Sequence, residues 1–295
     1  MDSWIVFTLL AVVMQSVRTA GQKQIAQSIS IQATTLVRFL FGLPFAALYF
    51  LALAYSLGDG PIAFTSYFFL SATLAAVSQI FATVCLVNAI TVKNFAVGTA
   101  LAKTEALLTA ILGAWFFSAA LSFLGYVSVV VGVVGVLVAS NWKITLQDLV
   151  DNKSIKYGLG AGLGFALASL WLREASLELT IPVLLSAAAT LLYMVMLQTA
   201  ICLAWIVAKE REQLRLIGEN LRASTFIGFT SVAGSVGWFT AISLQEAALV
   251  KTLGQMEFVV TLLITYLYFG ERISVREYSG MALVIVSILF LLRAS

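Results

Sequence analysis

The sequence predicts an all-α membrane protein of ten transmembrane helices, built as two inverted five-helix repeats. Three observations carry that expectation. The first is composition: 61% of residues are hydrophobic and 11% charged, with a mean hydropathy of +1.01. A soluble domain carries roughly a quarter charged residues, so this chain lacks the polar surface to cover a globule in water. The second is a series of apolar runs of about 20 residues, each long enough to cross a hydrocarbon core of about 30 Å. The third is an internal repeat.

In the first half the apolar runs cover 4–20, 31–55, 64–88, 95–117 and 121–139. In the second half they cover 155–172, 181–207, 224–244, 249–269 and 275–292. Most are apolar all round, without the alternation of a membrane strand, which argues against a β-barrel. The first run has no basic start and no small-residue cleavage site behind it, so it reads as a retained helix and not a signal peptide. The main polar break, 141–156, divides the chain into a first repeat at 1–140 and a second at 157–295. A second polar stretch, 209–222, alternates charges and reads as a short surface helix in a solvated connector.

The repeat shows best around 248–274, ALVKTLGQMEFVVTLLITYLYFGERIS. An offset of 152 pairs Leu101 with Leu253, Glu105 with Glu257, Thr109 with Thr261 and Phe117 with Phe269. The first three pairs step by four residues and so share one helix face. An offset of 157 superposes Ser78 on Ser235 and Thr83 on Thr240, with five extra residues near 93–97 in the first copy. A unit of five helices, repeated, enters the membrane upside down the second time. Charge counting agrees: loops after the odd-numbered helices hold twelve Lys and Arg, and the other side holds three, Arg173, Lys251 and Arg293. With basic loops facing the cytoplasm, both termini are expected outside.

Several classes fall away. No basic nucleic-acid patch is present, and histidine is absent altogether, which removes His-based metal sites, catalytic triads and histidine proton relays. Cys85 and Cys202 sit inside apolar runs and read as small packing residues. No nucleotide-binding motif appears. No cofactor, metal or enzymatic activity is expected, although two membrane glutamates leave an intramembrane acid protease as a poor fit.

Gly270-Glu271-Arg272-Ile273-Ser274 after a spanning helix, the polar fourth and ninth helices, and the five-plus-five repeat together resemble the drug/metabolite transporter superfamily, of the EamA type. The likeness covers essentially the whole chain. It implies a secondary active transporter of a small metabolite or drug-like solute, an exporter in a bacterial inner membrane, working as a monomer or homodimer. Protons are the candidate coupling ion. Two features depart from the pattern. Family members often carry proline after the ninth-helix carboxylate, where this chain has Phe258 after Glu257 and Ala106 after Glu105. The first-copy turn, Ser118-Ala119-Ala120, lacks the Gly-Glu-Arg pattern. Many relatives also keep their termini in the cytoplasm, against the charge count. Facilitative exchange, as in nucleotide-sugar carriers, and a non-transporting scaffold are the alternatives.

Four ionisable residues fall at membrane depth: Arg38, Lys103, Glu105 and Glu257. Each costs about 2.5–3.5 kcal/mol to insert unless a partner or wet cavity receives it. At 1.5 Å per residue both carboxylates lie roughly 12–15 Å inside their helices, and entry from opposite sides brings both to mid-bilayer. They are the lead candidates for binding substrate amines or protons; the competing reading is buried ion pairs with Arg38 and Lys103 that only fix packing. Lys103 and Glu105, two apart, point to different faces, so Lys103 is expected to meet another helix. Its repeat counterpart is neutral Gln255, an asymmetry that suits an anionic or zwitterionic substrate. Gln79, Trp238 and Tyr266 complete the candidate set. Gln15, Thr83, Asn88, Gln198, Thr240 and Trp171 are further polar or aromatic residues at depth. The run Gly158, Gly160, Gly162 and Gly164 permits close helix approach.

Overall fold

The computed structural model describes residues 2–58, 60–91, 101–139, 153–260 and 274–294. Twelve helices lie among them. The first half holds α1 (Ser3–Ile25), α2 (Ile31–Leu40), α3 (Leu43–Leu57), α4 (Ser66–Thr91), α5 (Glu105–Phe116) and α6 (Phe123–Ala139). The second holds α7 (Lys153–Glu178), α8 (Val183–Lys209), α9 (Glu212–Glu219), α10 (Leu221–Leu244), α11 (Ala247–Leu253) and α12 (Val275–Ala294).

Among the described residues seven helical segments are long and apolar enough to cross a bilayer, and α5 and α6 are shorter apolar helices. The chain is an integral membrane protein. Where residues are described, these helices overlap the expected runs, with three differences. The second span is divided at Phe41–Gly42, where Pro44 cannot donate to the preceding turn, and α2 and α3 continue one another across the membrane. Lys153–Lys156, expected in the polar break, already form the first turn of α7, while 140–152 lie outside the described residues. The fourth and ninth spans are interrupted, and 92–100 and 261–273 also lie outside the described residues.

The surface is inverted relative to a soluble protein. Large apolar side chains such as Val6, Leu10 and Val13 on α1, Leu48 and Leu51 on α3, and Leu70, Val77 and Phe81 on α4 point outward. Thr, Ser, Gln and charged groups lie inside with the small residues. Lipid is as apolar as Leu and drives no hydrophobic packing between helices, so close contact falls to small residues and hydrogen bonds. α10 shows this best: 78% of its apolar window is buried, and its buried residues are mainly Gly, Ser, Thr and Ala.

α1 packs along α10, α4 along α7, and α6 along α12; α8 closes over α2 and α3, while α5 rests on α7 and α11. At one end Arg173 of α7 donates to the carbonyls of Ile242 and Gln245, both at 2.6 Å, and to Glu246 at 2.8 Å. It thereby satisfies the open C-terminus of α10. At the other end α9 occupies the expected surface connector. Ser30 caps α2 by accepting from the Ala33 N–H, donates to Glu210, and gives its own N–H to Gln213. The connector is therefore tied to the start of the second span.

Candidate functional site

The helical runs that carry the two carboxylates are each interrupted just ahead of them. Residues 101–102 are helical, Lys103 and Thr104 form a turn, and α5 begins at Glu105. α11 ends at Leu253, Gly254 and Gln255 form a turn, and helix resumes at 256–260. Short i to i+3 bonds carry each chain across. The Thr104 N–H donates to Leu101 O at 3.1 Å, the Gln255 N–H to Thr252 O at 3.1 Å, and the Glu257 N–H to Gly254 O at 3.1 Å. Such tightened turns leave main-chain groups short of their usual partners, and interrupted helices of this kind flank polar sites in transport proteins. Both breaks need a glycine beside them. A Cβ at Gly254 would stand 2.4 Å from the Trp238 ring, and one at Gly162 of α7 would stand 2.8 Å from Thr104 Oγ1.

At the breaks the charges pair crosswise between the two halves. Lys103 donates to Glu257 Oε2. Lys251, on α11, stands with Nζ 3.7 Å from Glu105 Oε1. Each carboxylate thus faces the lysine of the opposite half. Gln15 on α1 donates to the same Glu257 Oε2 at 2.8 Å, and its own carbonyl accepts the Trp238 indole N–H at 2.8 Å. Trp238 in turn lies under Lys251, whose Nζ is 4.2 Å from the ring centroid. An ammonium over an indole face is favourable, and more so where water is excluded.

Beside this network lies a small chamber with room for about one or two waters. Gln15, Arg38, Gln79, Ser169, Ser235, Trp238 and Lys251 supply its polar lining. Arg38 Nη1 donates to Thr83 Oγ1 at 2.7 Å, and Thr83 donates to Gln79 O at 2.8 Å. The Gln198 amide donates to Gln79 Oε1 at 2.8 Å.

Most candidates converge there. Lys103, Glu105 and Glu257 meet at the breaks, and Arg38, Gln79 and Trp238 line the chamber. Lys103 does meet another helix. Gln255 lies elsewhere, buried with its amide beside Gly132 and Ser287 and with neither amide atom hydrogen-bonded. Tyr266 lies outside the described residues. Trp171 packs edge-on against Phe117, ring centroids 4.9 Å apart. Arg38 pairs with Thr83, and no ion pair joins it to either glutamate among the described residues.

Two members of the site count as loop charges in the sequence, Arg18 among the twelve on the basic side and Lys251 among the three on the other. Lys251 is buried in α11, and Arg18 is buried in α1, 1% exposed. The electrical asymmetry inferred from Gln255 is corrected accordingly, because Lys251 supplies the second half's cation one turn earlier. A signal for Arg18 was available: Gln15, Arg18 and Gln22 fall on one face of α1 at helical spacing.

The family comparison bears on the same half that carries Glu257. Residues 152–293 match the model of the EamA-like transporter family. Over that segment the chain is similar to the EamA-like transporter family. The match places α7 to α12, and with them Trp238, Lys251 and Glu257, inside the EamA-like segment. A solved crystal structure superposes with a TM-score of 0.72, covering 99% of this chain and 97% of its own, at 13% identity. That likeness shows the fold across the whole length. No curated protein sequence matches this one.

Proposed function

We propose that this EamA-like protein is a secondary active transporter that moves a small solute by alternating access around the chamber beside the paired Glu105 and Glu257. The observation that carries the reading is the crossed pairing. Two interrupted helices, one from each half, each have their carboxylate paired with the other's lysine. Protonating either glutamate would release the opposite lysine and loosen one half from the other, which is what a coupling step requires. The chain is read as a carrier and not an enzyme, exporting its solute across a bacterial inner membrane.

The ten-helix, inverted-repeat architecture belongs to the same proposal. It is supported by how the helices pair. Exchanging the first and sixth spans, and the third and eighth, turns the α1–α10 packing into the α7–α4 packing, while α6–α12 maps onto itself.

Counterflow in proteoliposomes tests the reading. Glu105→Gln and Glu257→Gln are each expected to lower proton-driven uptake at least tenfold. Wild-type exchange that ignores a pH gradient would recast the protein as a facilitative exchanger. Unimpaired exchange in both variants, accompanied only by lower melting temperatures, would reduce the pairs to packing devices.

A further inference from the structure

The two lysines and two glutamates at the breaks cancel, yet two more buried cations stand beside them. Arg38 on α2 is 4% exposed and lines the chamber with Lys251. Its one described hydrogen-bond partner is the neutral Thr83 hydroxyl. Arg18 on α1 lies within electrostatic reach of Arg38, Glu257 and Glu105, and its Nε has no hydrogen-bond partner. One turn further along α1, Gln22 is fully buried with both amide atoms unpaired. Among the described residues no carboxylate comes within ion-pair distance of either guanidinium.

Buried charges are ordinarily paired, because an uncompensated one at membrane depth is expensive. Here the carboxylates within reach are already claimed by lysines. Two guanidiniums that repel one another are therefore left without a carboxylate of their own, and Arg38 is the one that lines the chamber. The guanidinium fork matches carboxylate and phosphate oxygens in a way an ammonium does not. Gln15, Gln79, Ser169 and Ser235 stand around the rest of the chamber and could bond a solute's hydroxyl or carbonyl groups.

We propose that Arg38 and Arg18 are the receptor for an oxyanion group of the substrate, so that the solute carried is a small organic carboxylate or phosphate. The inference rests on the carrier reading and sharpens it: the arginines read the substrate, while the crossed Lys–Glu pairs are left to respond to protonation.

The full-length chain in detergent, in a buffer free of polyvalent anions, is melted with succinate, glycerol 3-phosphate, succinamide or ethylamine. Succinate or glycerol 3-phosphate is expected to raise Tm in a saturable way. Succinamide, nearly the same shape without charge, and ethylamine are expected to leave it unchanged. Arg38→Gln and Arg18→Gln should each weaken the anion's apparent affinity about tenfold or more, and Arg38→Lys should recover only part of the loss. Stabilisation by ethylamine or succinamide in place of the anions overturns the inference, as does a flat response to all four. Anion affinity unchanged in both Gln variants overturns it too. The wild-type series decides even if a variant fails to fold. Counterflow separates the two claims: exchange of ethylamine alone leaves the carrier standing without its anion receptor, whereas no exchange with any solute removes the carrier reading.

Discussion

Lys251 holds two partners at once, the Glu105 carboxylate at 3.7 Å and the Trp238 ring at 4.2 Å. Replacing it with Met keeps the bulk and leaves Glu105 buried without its cation. Stripping one partner from a buried pair costs about 3–5 kcal/mol, so Lys251→Met should lower unfolding stability in micelles by about that amount. Glu105→Gln added to Lys251→Met should restore much of it, a coupling that a double-mutant cycle reads directly. Trp238 separates its two roles in the same way. Trp238→Phe keeps a ring face for Lys251 but loses the N–H to Gln15, an expected cost of about 1 kcal/mol. Trp238→Leu loses the ring as well and should cost about 1–2 kcal/mol more in the same unfolding measurement. Glu105, Glu257 and Lys103 stand out in the sequence because a charge inside an apolar run must find a partner or a wet cavity. Lys251 was not, because it stands near the start of its run, where a lysine in a loop and a lysine in the core look alike. Only the short first piece of the ninth span, α11, carries it inward.

Helix interruption is where sequence periodicity gave the least guidance. Runs 95–117 and 249–269 read as unbroken spans, since neither holds a proline and the first has no glycine at its break. Gly254 was the sole local hint, and its repeat counterpart, Ala102, offered none. What makes the breaks is tertiary: Trp238 presses into the space over Gly254, and Thr104 fills the groove opened by Gly162. Gly254→Ala would bring a methyl to 2.4 Å from the ring, an overpacking that typically costs about 1–3 kcal/mol. The expected outcome is a lower melting temperature together with altered indole fluorescence, because the ring must leave its bond to Gln15. Gly218, with open space around it, provides the control: Gly218→Ala should leave both signals as in the wild type.

At the scale of the whole chain, length, composition and the spacing of apolar runs made the membrane fold legible, since the bilayer dictates the length and polarity of any span. Orientation depends on a sum of charges, and the structure changes that sum. Arg18 leaves the basic side and Lys251 leaves the other, since both are buried in helices, so twelve against three becomes eleven against two. Both corrections remove buried residues, and the proportion becomes more lopsided, so the same rule still leads to the expectation that both termini lie outside the cytoplasm. The native thiols make this testable without a cysteine-free background, because Cys85 and Cys202 are both buried, at 8% exposure. A cysteine placed at position 2 by Asp2→Cys, where the chain is exposed, should react with a membrane-impermeant maleimide in intact cells. Wild-type protein should remain unlabelled under the same conditions. Labelling of Asp2→Cys only after permeabilisation would put the amino terminus inside. It would also reverse the side of the membrane from which α1 carries Arg18 inward.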